Sequence, residues 1–218
     1  MSRIVTAMLL LILSATGFSQ NRIRFSVLAE PQFSWFSSDE QEVEPDGSIL
    51  HIRTGLQMDN YFEPTYAFVL GFAVNNTGGK LLYADSTLFE AGGDSLVAVP
   101  GVSIRHRLQY LEIPIGLKLK TEELGYATFF LQAGFNPMVN INAFAVSGDE
   151  VFDKENIQDD INTFYLGYHV GAGVEYRLGG NTALLGGIRW SSGLTDVTGN
   201  DRANITQRAI TVNLGVLF

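Results

Sequence analysis

Leu108–Lys120, LQYLEIPIGLKLK, is the stretch whose reading decides the fold. Leu111, Ile113, Ile115, Leu117 and Leu119 fall on one face, and Tyr110, Glu112, Pro114, Gly116, Lys118 and Lys120 on the other. A period of two marks a β-strand. One face is wholly aliphatic. The other carries a carboxylate and two amines, which a soluble barrel does not point into its core. The pattern predicts a strand with lipid on its aliphatic side and a polar interior on the other.

Working outward, the same alternation recurs seven times. The first strand covers 22–36, with Ile23, Phe25, Val27, Phe33 and Trp35 against Arg24, Ser26, Glu30, Gln32 and Ser34. The second covers 49–61, the third 66–75, and the opening stretch is the fourth. The fifth covers 126–139, the sixth 163–178, the seventh 182–194 and the eighth 205–218. Between them, 76–103 and 140–162 read as long polar connections, whereas 62–65, 120–125 and 179–181 are tight turns. Long and short connections alternate, as in bacterial outer-membrane barrels with short periplasmic turns and long outer loops. The expected fold is all-β: an eight-stranded antiparallel up-and-down transmembrane β-barrel. An even strand count puts both termini on the periplasmic side of the outer membrane.

Outward aromatics gather near strand ends, with Trp35, Phe135, Phe164 and Trp190 on the loop side and Phe25, Tyr66, Tyr176 and Phe218 on the turn side. Two such belts match interfacial girdles. A soluble lipocalin-type barrel is the rival. It would have to crowd every aromatic and aliphatic of the apolar face into an interior only just wide enough for side chains. The small residues Gly55, Gly71, Gly116, Gly134, Gly171 and Gly187 lie on the polar face, which suits a narrow inside.

The N-terminus reads as a secretory signal: Arg3, then the apolar run 7–13, then Gly17 and Ser19 before a cut. Residues 1–19 are expected to be removed, leaving 20–218 as the barrel domain. The run is too short to span hydrocarbon. The 218 residues contain no Cys, which excludes disulfides, thiolate metal sites and a Cys nucleophile. A formal charge of −9 argues against nucleic acid as a partner.

The stretch Tyr110-Leu111-Glu112-Ile113-Pro114 resembles the YLEIP strand of PorT-like outer-membrane β-barrel proteins from Bacteroidota. Tyr66 with Gly71, then Gly78-Gly79-Lys80-Leu81, and Leu119-Lys120-Thr121 leading to Gly134, are similar to that family too. The resemblance covers nearly all of the mature chain. It implies an outer-membrane barrel, and by analogy a link to type IX protein secretion. The characteristic N-terminal segment of the family's named member is missing here, because Gln20 runs straight into the first strand. The terminal strand resembles an outer-membrane assembly signal, with Phe218 after outward Val216 and Leu214, which implies the barrel assembly machinery as a partner.

Inward charges of both signs, Arg24, Glu30, Arg53, Asp59, Glu112, Lys118, Glu175, Arg177 and Arg189, are expected to pair as a network filling the bore, since buried charges are costly unless paired. Glu30 and Arg53 sit at mid-height on adjacent strands, and Glu112 would reach Arg53 or Arg189. Pro114 removes a ladder donor, so a bulge is expected there. His51 and His169 face inward and read as hydrogen-bonded filler. His106 near the rim with Ser103 has no acid at set spacing, so a lipid-modifying enzyme is only a remote alternative. The glycine pairs lack the ending of a phosphate loop. The acidic loops, with Asp39, Glu40, Glu42, Asp149, Glu150, Asp153, Asp159, Asp160 and Asp196 among them, read as solvated surface, or else as divalent-cation sites bridging to lipopolysaccharide phosphates. No cofactor or catalytic set is expected. The function classes are a structural or accessory envelope barrel, contacting outer-membrane lipid, lipopolysaccharide and other envelope proteins, or a small pore or ligand-binding barrel.

Overall fold

The computed structural model describes residues 23–38, 43–83, 87–91, 94–98, 101, 103–147, 155–199 and 204–218. The expected signal segment and many of the acidic loop residues, Asp39, Glu40, Glu42, Asp149, Glu150 and Asp153 among them, lie outside these. The elements in chain order are β1 (Ile23–Ser38), β2 (Val43–Pro45), β3 (Ile49–Glu63), β4 (Tyr66–Tyr83), β5 (Thr87–Ala91), β6 (Asp94–Ala98), β7 (Ser103–Glu112), β8 (Ile115–Lys120), β9 (Ala127–Ser147), β10 (Glu155–Asn156), β11 (Phe164–Gly179), β12 (Thr182–Gly193) and β13 (Ile205–Leu217).

β1, β3, β4, β9, β11, β12 and β13, together with β7 and β8 as one further stave, close an antiparallel ring of eight. β7 and β8 each pair with β4 on one side and β9 on the other. The last strand seals the ring against the first, where Phe25 and Phe218 exchange both backbone hydrogen bonds at 2.8 and 2.9 Å.

The ring is inside out. Phe25, Val27, Leu56, Phe68, Leu117, Leu131, Ile188 and Leu214 stand exposed on its outer wall, while Glu30, Asp59 and Lys118 are completely buried within. An exposed apolar band of this extent has no place in water. In hydrocarbon it is the favourable surface, and closure satisfies every edge that lipid could not. Narrowness is set by close backbone approach. Gly116 and Gly134 face each other across β8 and β9, and a Cβ on either would drive into the carbonyl of Ala133 or Ile115.

The structure departs from expectation at three points. The connection 76–103 is not all loop. β4 runs on to Tyr83, paired with β7 from Leu82–Ser103 downward, and β9 runs on to Ser147. In this extension the alternation changes sign, with Ile104, His106 and Leu108 buried inside and Arg107 exposed outside. The wall has risen above the apolar band, so water replaces lipid as its outer solvent. Second, Pro114 makes no bulge. The register runs unbroken across it, from Ala73–Glu112 to Leu70–Ile115. Its carbonyl accepts from Gly71 N–H at 2.9 Å, and Ile113 N–H donates to Pro137 O at 2.9 Å. A tolerated missing donor therefore costs one hydrogen bond and no residue. Third, the bulge lies five residues earlier, where Gln109 and Tyr110 face Asn142 and Asn140 and leave Ile141 unpaired on β9. It shifts the inward parity of β9 from Asn140 to Ala143 and Ala145, and so delivers small apolar residues to the upper interior.

Candidate functional site: the sealed bore and its covered end

Two charged clusters stack in the bore. The middle one centres on Arg53, which β3 sets directly across from Glu30 of β1. Its guanidinium donates to Glu30 and, bidentately, to Glu112, with Nη2 to Oε1 at 2.9 Å and Nε to Oε2 at 3.2 Å. Arg189 of β12 completes the set, 3.4 Å from the other Glu30 oxygen. Two carboxylates and two guanidiniums cancel in charge. Amides extend the chain of bonds around the bore. Asn75 donates to Glu112 at 2.7 Å, Gln32 donates to Asn75 at 2.7 Å, and Thr211 donates to Gln32 at 3.2 Å. A planar fork between two acids is what Arg offers and Lys does not.

The second cluster lies toward the tight turns. Lys118 bridges Asp59 at 2.7 Å and Glu175 at 2.6 Å, and Lys120 reaches Glu175 at 2.6 Å. Arg24 approaches Glu175 at 3.4 Å and donates to Asn181 O at 2.8 Å. Gln57 donates to Asp59 at 2.7 Å. Aromatic rings take the ammonium faces that carboxylates leave, with Lys118 over Phe130 at 4.6 Å and Lys120 over Tyr61 at 4.9 Å.

Of the nine charged residues expected in the bore, Arg177 is not in it. It sits half-exposed at the turn-side rim, 2.9 Å from Glu123. Parity put it inward, but β11 has by then outrun the wall. Lys120, which shares parity with Lys118, joins the turn-side cluster with Tyr61, and Gln32 and Asn75 join the middle one.

Above the charges the bore turns apolar, which sequence reading missed. Phe36, Leu81, Ile104, Leu108, Tyr110, Met138, Tyr165 and Ile205 pack as one buried cluster, and Ile157, Ile161 and Val197 close it from the loops. A short 3-10 turn, Gln158–Asp160, carries the first two across the mouth. Asp196, expected as solvated surface, holds this cover together. Its Oδ1 accepts from Thr198 N–H, Thr198 Oγ1 and Ile205 N–H, each at 3.0 Å. Tyr165 Oη, sunk in the cluster, accepts from Gln207 N–H at 3.0 Å. The three histidines differ. His169 uses both ring nitrogens, on Asn136 at 2.7 Å and Gln132 at 3.3 Å. His106 is buried beside the apolar cluster, edge-on to its Phe36 with centroids 5.9 Å apart. His51 lines a groove on the outer wall. Among the described residues no group of His, Asp and Glu is arranged to hold a metal ion.

The model of the outer membrane protein beta-barrel domain matches residues 10–199, and the chain belongs to that family. No curated protein matches it. Similar solved structures include Neisserial surface protein A, 14% identical with a TM-score of 0.49, over 88% of this chain and 95% of that one. OprG from Pseudomonas aeruginosa is 12% identical with a TM-score of 0.46, over 89% and 93%. The outer membrane protease OmpT from Escherichia coli is 9% identical with a TM-score of 0.44, over 93% and 99%. Likeness at these identities names no ligand or activity for this chain.

Proposed function

We propose that this member of the outer-membrane barrel family is a closed, non-enzymatic barrel with a structural or accessory role in the envelope, acting through its surface and not through its bore. One observation carries the reading: two ion-pair clusters and an apolar cluster fill the interior in series. An eight-stranded bore has little space to spare once its own side chains are in it. Two of the histidines support leaving chemistry out, since His169 spends both ring nitrogens on amides and His106 is buried edge-on against Phe36. In this reading the tight turns and both termini face the periplasm, and the taller end faces outward.

The test is electrical. Purified barrel in planar bilayers is expected to give no steady current, and a large, steady conductance would replace this reading with the pore alternative.

The finer reading, a place beside a secretion machine, rests on the PorT-like resemblance of the sequence alone, with Tyr110–Pro114 at its heart. Affinity purification from solubilised outer membranes, read by mass spectrometry, tests it. Recovery of the barrel assembly machinery without secretion components would remove the secretion link. Phe218 supports that assembly partner, since its ring points outward at the seam where the ring closes on Phe25. Phe218→Asp should lower the yield of heat-modifiable barrel in cells, and an unchanged yield would count against an assembly signal.

A further inference from the structure

The taller side of the barrel leaves a groove. β3 pairs with β4 only as far as Arg53–Asn75, and above that point β4 takes β2 as its neighbour. β4 then leans inward and is held there by β1. Gln32 Nε2 donates to Asn76 O at 2.7 Å, and Ser34 Oγ donates to Gly78 O at 2.7 Å while accepting from Gly78 N–H at 3.1 Å. The top of β3 stays outside the leaning sheet. Between them runs a groove of about 680 Å³, with Leu50, His51 and Ile52 on one wall and Arg107, Gln109 and Phe144 on the other. His51 Nε2 has no hydrogen-bond partner among the described residues.

The chemistry of the groove is two-sided. Its lower wall is continuous with the lipid-facing surface, since Leu50 and Ile52 are themselves outward and exposed. Arg107 lines its upper wall, and two further cations stand above the groove on the same outer face. Arg105 stands across from Lys80, and Arg107 stands one pair below on the same outer face. Among the described residues no carboxylate comes within ion-pair distance of Lys80, Arg105 or Arg107. Glu44 and Asp46 flank the far edge of β4, beside Leu82 and Lys80, which leaves the arginines as the cationic end. Such a concentration is unexpected on a chain of net charge −9. Its height is informative. Below Arg107 the outward row passes through Gln109 to Leu111 and Ile113, where the apolar band begins. The arginines therefore stand on the headgroup side of the apolar band, four and six residues along the strand from Leu111, and their long stems can reach down toward it.

We propose that this groove holds a phosphorylated glycolipid of the outer leaflet, with its phosphate on Arg105 and Arg107 and an acyl chain against Leu50 and Ile52. Guanidinium forks suit phosphate oxygens, and their long stems reach down toward a headgroup. A soluble anion would have no use for the apolar wall, and an acyl chain alone would have no use for the arginines. The inference rests on the proposed orientation, with the taller end outward.

Full-length chain in phosphatidylcholine nanodiscs would be titrated with diphosphoryl lipid A, and the retained lipid counted by native mass spectrometry. Arg105→Gln/Arg107→Gln is expected to retain roughly tenfold less, by loss of charge-assisted hydrogen bonds. Arg105→Lys/Arg107→Lys should keep most of the binding, and all three proteins should keep the same heat-modifiable migration. Equal retention by the Gln variant, or equal retention of lipid A stripped of its phosphates, would overturn the proposal. So would displacement by millimolar inorganic phosphate, which would mark a free-anion site. A separate arm labels Asp159→Cys, exposed on the turn that covers the taller end, on intact cells with an impermeant maleimide. Labelling upholds the orientation, and absence of labelling overturns it whatever the lipid result.

Discussion

The lower and upper halves of the bore are built on opposite chemistries from one continuous ring of strands. Within the apolar band the inside is mainly ionic, with Leu28, Phe130 and Leu185 as a small apolar group, and the outside is aliphatic. Above it the inside is aliphatic and aromatic, and the outside carries arginines. Each half follows its own solvent. Lipid accepts the apolar side chains, so charge goes inward and must be paired there. Water accepts the charge, so apolar side chains go inward in the ordinary way. A strand such as β4 crosses from one regime to the other without a break in its pairing with β7.

The contrast can be attacked first at Arg53, where the largest effect is expected. It serves two buried carboxylates at once, so Arg53→Met leaves Glu30 with only the longer contact to Arg189 and strips Glu112 of its fork. A loss of roughly 3–5 kcal/mol is expected for breaking a dry pair, less if water enters. Urea unfolding in lipid vesicles measures it. A loss below about 1 kcal/mol, the range of exposed pairs, would show that the lower half is wet.

The upper half should answer to acid instead. His106 lies above the band, where the outward neighbours are Arg105 and Arg107, and burial pushes its pKa down to about 4. The folded protein keeps the ring neutral while the unfolded chain protonates near 6.5. Stability is therefore full above pH 6.5 and falls as pH drops from there toward 4, by up to about 3 kcal/mol. Hydrogen exchange in β7 at pH 7.5 and pH 5 reads it, and His106→Gln should flatten the difference. Equal protection at both pH values in the natural chain would show that the ring is not sealed beside the apolar cluster.

The smallest effect belongs to neither half. Arg177–Glu123 is a half-exposed rim pair, so Glu123→Gln should cost under ~1 kcal/mol in the same urea assay, and less in high salt. A larger cost would mean that the lower charged cluster extends to the rim.

How far the sequence can be read follows the same divide. The eight-stranded ring was legible because lipid demands strict alternation, and residues such as Leu111 to Leu119 obey it without exception. Within the band, inward parity plus strand height is enough to set Glu30 opposite Arg53. Three features were not legible. The upper wall keeps the period but inverts the polarity, so Ile104, His106 and Leu108 look like outward residues of a strand that points the other way, or like loop. Ile141 is an extra residue that leaves no trace in composition, yet it decides which side chains of β9 enter the apolar cluster. Arg177 has inward parity, but parity does not say where a strand leaves the wall.

β4, β7 and β9 continue about eight residues beyond the apolar band, whereas β11 begins at the band's edge. A plain tube looks the same from every bearing in the plane of the bilayer. This one has a high shoulder and a low one, and so it carries a compass direction. Neighbours arriving from different quarters meet different faces: a polar parapet on one bearing, bare aliphatic wall on another. In a crowded membrane, such a molecule can be addressed by azimuth as well as by contact.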